Sequence, residues 1–253
     1  MAASNLQLNS ANYSVKHAFP VGVRLTVVST STKSRPGKQG RPVGAQTGRE
    51  LIVRSIHEAL AVELQVPLRT ITHYEPAAWA HCMSRLSSDV VGRVMARLAH
   101  TLPHETYGTP ACIPDRELGY AAGLIDGEGC VTVVRHQRKK RPRRDMRPVF
   151  SVSQNDQQVL KRLQMTLGAH SDVHPGKKTI KTNRTPCNFI VSSAPHIIHS
   201  LCGVYELLDV KKTQVEALFR FHVEGRQWKF GRGTPPVVLK RRMYWYKRLI
   251  KMK

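Results

Sequence analysis

Asp126 and Glu128, separated by one glycine in Asp126-Gly127-Glu128-Gly129, are the residues whose type and spacing best suit a divalent cation. Carboxylate oxygens suit Mg²⁺, which keeps several of its own waters. A cation so held can polarise a phosphoryl oxygen and activate water for phosphodiester hydrolysis, and no covalent nucleophile is needed. The residues before these acids supply a platform. Asp115 can cap a helix in which Gly119, Gly123 and Gly127 recur at i, i+4 and i+8, and such a line forms a flat stripe where another backbone can approach closely. A matching helix is therefore implied. The acids fall at the helix terminus, where the dipole disfavours negative charge, which again suggests a cation. Val131 to Val134 is β-branched around Thr132, so the chain should pass from this helix directly into a strand.

The rest of the chain points to a polyanionic partner. Its 253 residues carry 40 Lys plus Arg against 17 Asp plus Glu, a formal charge of +23, which makes nucleic acid the default partner. Hydrophobic residues at 41% exclude a purely disordered basic tail. Five cysteines without a C-x-x-C pair disfavour a disulfide framework or zinc ribbon and fit a reducing compartment. His196, His199 and Cys202 have a helical spacing that zinc could use, but a helix opened by Pro195 with satisfied faces explains it as well. No apolar run approaches the ~18 residues of a membrane span.

Four regions are expected. Residues 1–49 hold no acid and read as a disordered basic segment, with some likeness to an organellar transit peptide. Residues 50–110 read as helical. Within them LAVELQVPLRTITHYE, from Leu60 to Glu75, resembles a helix-turn-helix whose turn glycine is replaced by Gln65; it would present Arg69, Thr70, Thr72 and His73 to a major groove. A plain helical hairpin is the alternative. Residues 111–224 carry the chemistry, and residues 225–253 form a basic, aromatic extension that suits either nucleic acid or a packed helix. The expected order after the acids is strand 130–136, strand 147–154, helix 156–167, strand 170–176, strand 187–193, then helices 195–208 and 211–222.

YAAGLIDGEG, Tyr120 to Gly129, resembles the signature of the LAGLIDADG homing endonuclease family, with Ala121 in place of its first Leu and Glu128 where many members have Asp. The resemblance covers about residues 115–224. It implies an α+β fold, an αββαββα unit with a saddle-shaped antiparallel sheet, preceded here by the helical and disordered amino-terminal region. It also implies a site-specific, intron-encoded-type double-strand DNA endonuclease using Mg²⁺. By the family pattern Glu128 binds metal, with Gly127 beside it, Gln154 at the end of the second strand orients the attacking water, and Lys211 faces the scissile phosphate, with Lys212 as fallback. Only one signature is visible, so a homodimer on a pseudo-palindromic site is expected, joined through Gly119, Gly123 and Asp126.

DNA should lie on the outer face of the sheet. Val131, Val133, Phe150 and Val152 share the apolar parity, leaving Thr132, Val134, His136, Arg147, Val149 and Ser151 on the other face. The first hairpin adds Arg138, Lys139, Lys140, Arg141, Arg143 and Arg144, and the second loop adds Lys177, Lys178, Lys181 and Arg184; such densities suit phosphates and guanine edges. Two other readings are an intron RNA maturase, tolerant of losing Glu128, and a non-catalytic DNA-binding regulator. The excess of Arg over Lys hints at a bacterial cytoplasm over an organelle such as a chloroplast or mitochondrion.

Overall fold

The computed structural model describes residues 43–101, 113–137, 144–169, 171–176, 185–225 and 234–252. The chain divides into Met1–Gly40, which lies outside the described residues, and Arg41–Lys253, which holds every element below.

The centre is a four-stranded antiparallel sheet in the order β1-β2-β4-β3, formed by β1 (Gly129–Gln137), β2 (Arg144–Gln154), β3 (Val173–Pro175) and β4 (Cys187–Val191). Alternation sets its faces. The pairings Val131↔Phe150↔Val191 and Val152↔Phe189 place five large apolar side chains on one side, all buried, with Phe150 and Phe189 edge to face at 6.0 Å. Each such burial contributes roughly 1.5–3 kcal/mol. Pro148 is tolerated in β2 because β4 ends opposite Phe150, so at that level the strand has lost one neighbour.

Helices α5 (Asp115–Glu128), α6 (Gln157–Leu167), α7 (Ala194–Cys202) and α8 (Lys212–Glu224) pack on the strands. With the helices gathered on an antiparallel sheet the class is α+β, in the αββαββα order. Asp156 caps α6 by accepting the Gln158 backbone N–H at 2.8 Å, and Gly168 ends it in the left-handed region at φ 56°. Two expected elements are shorter than their sequence spans. The third strand reduces to Val173–Pro175, and α7 stops at Cys202 before Gly203, leaving a separate 3-10 turn over Tyr205–Leu207.

Four helices precede this unit: α1 (Val43–Glu63), α2 (Leu68–Thr72), α3 (Pro76–Ser84) and α4 (Ser88–Thr101). Residues 43–49 thus lie in α1 rather than in a disordered segment. At its end Gln65 has φ 54°, its N–H reaches Val62 O, and the Val66 N–H reaches Ala61 O at 3.0 Å. This paired bonding is a Schellman stop, with Gln65 in the position that usually favours glycine. The following α2 is only five residues long, little more than one turn, and Thr72 bends its hydroxyl back to Leu68 O. That is short for a helix that reads a major groove.

The amino-terminal helices share one core with the αββαββα unit. Ile52, Ile56 and Leu60 of α1 and Val91, Val94 and Leu98 of α4 join the same buried cluster as Ile197, Leu201 and Phe219, and Ser88 donates to Glu216 of α8 at 2.9 Å. Arg93 and Arg97 grip Glu63 at 2.8 and 2.9 Å. Burial raises the Glu63 carboxyl, but the two guanidinium groups outweigh it and hold the group below the usual carboxylate range.

Helix α9 (Pro236–Lys251) closes the carboxyl terminus, opened by Pro236 at its first turn. It packs against α8 and β1, burying Val238, Trp245 and Leu249. Arg242 fixes its position by donating to Gly225 O at 2.7 Å and Met146 O at 2.9 Å, with its guanidinium 4.3 Å from the Phe221 ring centre. The extension is thus built into the core.

Candidate active site and nucleic-acid face

The junction between α5 and β1 organises the site. Ala121, Ala122 and Ile125 turn into the core, whereas Gly119, Gly123 and Gly127 face outward. A Cβ at any of these three glycines would meet nothing within 4 Å. Nothing among the described residues therefore requires glycine there, and against them the stripe is open. Beside it, Arg162 spans the Tyr120 ring at 4.2 Å and grips Glu117 through two bonds of 2.7 and 2.6 Å, which hold the Glu117 carboxyl below its usual range. Gly129 is different. A Cβ there would collide with the Ile125 carbonyl oxygen, whose hydrogen bond from the Gly129 N–H ends the helix. Only glycine lets the chain turn this tightly from helix to strand.

The two acids at this junction have separate surroundings. Asp126 accepts the backbone N–H of Asp209 and of Lys211, both at 2.8 Å. Its carboxylate thus anchors the loop that leads into α8, with Lys211 at the N-cap. The family resemblance implies that Asp126 supports the helix end and the dimer interface; within the chain its carboxylate holds this loop. Glu128 is exposed and makes none of the hydrogen bonds or ion pairs found among the described residues.

Gln154 reaches the same end of the sheet by register. Gly129 pairs with Val152, so the last two residues of β2, Ser153 and Gln154, run past the start of β1 alongside the Gly127–Glu128 turn. Lys211 arrives through the Asp126 anchor. Of the two lysines, Lys212 donates to Glu206 at 2.8 Å and lies 5.0 Å from the Tyr205 ring centre, while the Lys211 ammonium makes no such bond among the described residues. The fold thus gathers Glu128, Gln154 and Lys211 at one end of the sheet, from three elements.

A cation fits the donor type at Glu128, an exposed carboxylate that no basic side chain among the described residues occupies. The described residues hold no group of three His, Cys, Asp or Glu side chains placed for a metal. Zinc at Cys202 does not fit. That thiol is buried and donates to His199 O at 3.0 Å, and burial pushes it up to about 12, so it stays protonated.

On the outer face, Val134 and Arg147 are exposed and Val149 and Ser151 half-buried. Thr132 departs from its expected role: it is 4% exposed and its hydroxyl has no partner among the described residues, so outward parity does not make it available to DNA. Arg147 is tethered, donating to Ser192 O at 3.2 Å and Ser192 Oγ at 2.7 Å. The side chains of His136 and Arg144, and all of Arg138, Lys139, Lys140, Arg141, Arg143, Lys177, Lys178, Lys181 and Arg184, lie outside the described residues. Asn188 and Ile190 of β4 were missed. Because Phe189 and Val191 point inward, their neighbours point outward, and Asn188 accepts from the Ser153 hydroxyl at 2.6 Å; the same alternation in Cys187–Val191 was available in the sequence.

Residues 121–222 match the family model described as LAGLIDADG endonuclease. No match is found among curated proteins. Similar solved structures include the archaeal intron-encoded homing endonuclease I-Vdi141I complexed with DNA, at 23% identity and TM-score 0.43, covering 55% of this chain and 85% of that one. Another is the homing endonuclease I-CvuI in complex with the I-CreI target in 2 mM Mg, with DNA not cleaved, at 17% identity and TM-score 0.44, covering 55% and 83%. A third is the LAGLIDADG homing endonuclease I-LtrWI bound to target DNA, at 17% identity and TM-score 0.38, covering 68% and 61%. The signature at the α5–β1 turn and the αββαββα order fall within the same stretch, residues 121–222, that is similar to the LAGLIDADG endonuclease family model.

Proposed function

We propose that the protein is a site-specific endonuclease that cuts both strands of duplex DNA as a homodimer, with a divalent cation, Mg²⁺ by donor chemistry, held at Glu128. The observation that carries this reading is that Glu128, Gln154 and Lys211 come from elements meeting at the end of α5, beside a glycine stripe that none of the described residues covers. Stripe against stripe, two copies would bring their Glu128 side chains together, completing from two chains the donor set that one supplies by half.

Each residue then has a task. Glu128 carries oxygen donors for the cation beside Gly127, and the bound cation would polarise the phosphoryl oxygen and lower the pKa of water. The Gln154 amide can orient the attacking water. The Lys211 ammonium, kept in place by the Asp126 anchor, neutralises charge developing on the phosphate. On the outer face, Val134, Arg147 and Ser151 meet the groove, and the cations of the two hairpin loops meet phosphates.

The test is cleavage of a randomised duplex library in Mg²⁺ and in chelator, with sequencing of the new ends. Metal-dependent, pseudo-palindromic double-strand cuts leaving short 3′ overhangs are expected. A folded protein that binds structured RNA and never cuts DNA would contradict the reading and favour the maturase alternative.

A further inference from the structure

The chain from Gly225 to Lys253 contains ten Lys and Arg and no acid, and α9 sorts these cations by task. Val238, Trp245 and Leu249 are buried, and Arg242 is locked to two backbone carbonyls. At about 100° per residue, Lys240, Tyr244, Lys247 and Lys251 share one narrow sector roughly opposite that buried stripe, with Arg241 and Arg248 along its border. All six are exposed. Arg248 donates to the Tyr244 hydroxyl at 3.1 Å, which keeps its guanidinium on this face. Glu224 lies 3.7 Å from Arg241 and 3.5 Å from Arg220, and among the described residues no acid pairs with the three lysines.

This is a rigid basic ridge. From Lys240 to Lys251 it runs about 16 Å, the length of about five phosphates of one DNA strand. It stands against β1, the edge strand of the sheet whose outer face is read here as the DNA surface. A membrane surface fits it less well, because an interfacial helix needs its apolar stripe free, and here that stripe is buried in protein.

We propose that α9 is a second DNA-contacting element, which grips the phosphate backbone of duplex flanking the bases under the sheet. The inference rests on the reading of the chain as a DNA endonuclease. It makes Lys240, Lys247 and Lys251 contributors to affinity that carry no base specificity.

The test is salt-dependent binding of the full chain, without divalent cation, to a labelled random-sequence duplex of about forty base pairs. The triple variant Lys240→Gln/Lys247→Gln/Lys251→Gln is compared with a control of equal charge loss, Arg49→Gln/Arg54→Gln/Arg85→Gln, whose residues are also exposed. Since each phosphate contact adds about 0.9 to the slope of log affinity against log salt, the α9 variant should be shallower by about two to three and the control unchanged. An unchanged slope in the α9 variant, or an equal fall in both, overturns the proposal. A loss confined to a structured RNA hairpin tested in parallel also overturns it and assigns the ridge to RNA. If the wild type binds no duplex at all, the endonuclease reading falls first.

Discussion

Two helices of this protein end in glutamate followed by glycine, Glu128-Gly129 closing α5 and Glu224-Gly225 closing α8, and the two acids have opposite fates. In both, the helix dipole disfavours the charge. At Glu224 the fold answers with burial and partners: the side chain is 1% exposed, flanked by Arg220 and Arg241. Trp245 beside it has Arg220 and Arg248 at 5.3 and 5.4 Å from its ring. Burial still prevails and holds the Glu224 carboxyl above its usual range, against the lowering effects of Trp245, Arg241 and Arg220. At Glu128 the described residues supply no hydrogen bond or ion pair. The first acid fastens α9 to the core, and the second is the acid proposed to hold the cation.

After loss of Glu128 itself, the largest effect should come from removing the ammonium of Lys211, whose backbone the Asp126 anchor holds. Lys211→Met is expected to lower the single-turnover cleavage rate by about 10²–10³-fold with a melting temperature close to wild type. Lys212→Ala, which removes an exposed pair with Glu206, should change it little. Equal losses in both would dissolve the distinction drawn between the lysines. Asp126→Ala, which strips two backbone N–H groups of their acceptor, should cost about 1–3 kcal/mol in chemical denaturation and lower cleavage as well; a variant of full stability would contradict the anchor.

Gly123→Leu sharpens the comparison from the other side. The position is open within the chain, so the folded chain should tolerate Leu, while sedimentation should show dimer replaced by monomer. A dimer that persists would remove the glycine stripe from the interface.

The smallest effect concerns the closed acid. A carboxyl raised in the folded state binds its proton more tightly there than when unfolded. Its favourable contribution is therefore present at low pH and lost as pH rises from the ordinary carboxylate value through the folded one. Melts of wild type and Glu224→Gln between about pH 5 and 8 should diverge, the wild type losing ground to the variant as pH rises. Parallel curves would mean that Glu224 titrates as an ordinary acid.

The active-site half of this comparison was legible in the sequence because its residues are neighbours along the chain. A helix with glycines on one side, two acids and a β-branched strand within 22 residues can be read locally. Anchoring Lys211 through Asp126 was not, since the bonds join residues 83 and 85 positions apart, and only the folded loop shows that a side chain named for an interface is already engaged. Thr132 shows the limit of alternation: period two gives the face of a residue and not its cover. At Gln65 the expected turn was right while its glycine was absent, because the paired bonds of the helix stop hold a non-glycine residue at φ 54°. For α9 the sequence allowed either a packed helix or a nucleic-acid surface, and the structure shows one helix with a buried stripe and a basic exposed face.

The most direct measurement is cleavage by Glu128→Gln on the site selected by the wild type, with DNA affinity and melting temperature measured alongside. Because Glu128 is exposed and has no partner among the described residues, the account predicts that cleavage disappears while binding and stability hold, the latter within about 0.5 kcal/mol as for an ordinary surface substitution. Cleavage at the wild-type rate in this variant would contradict the assignment of Glu128 as the acid on which hydrolysis depends.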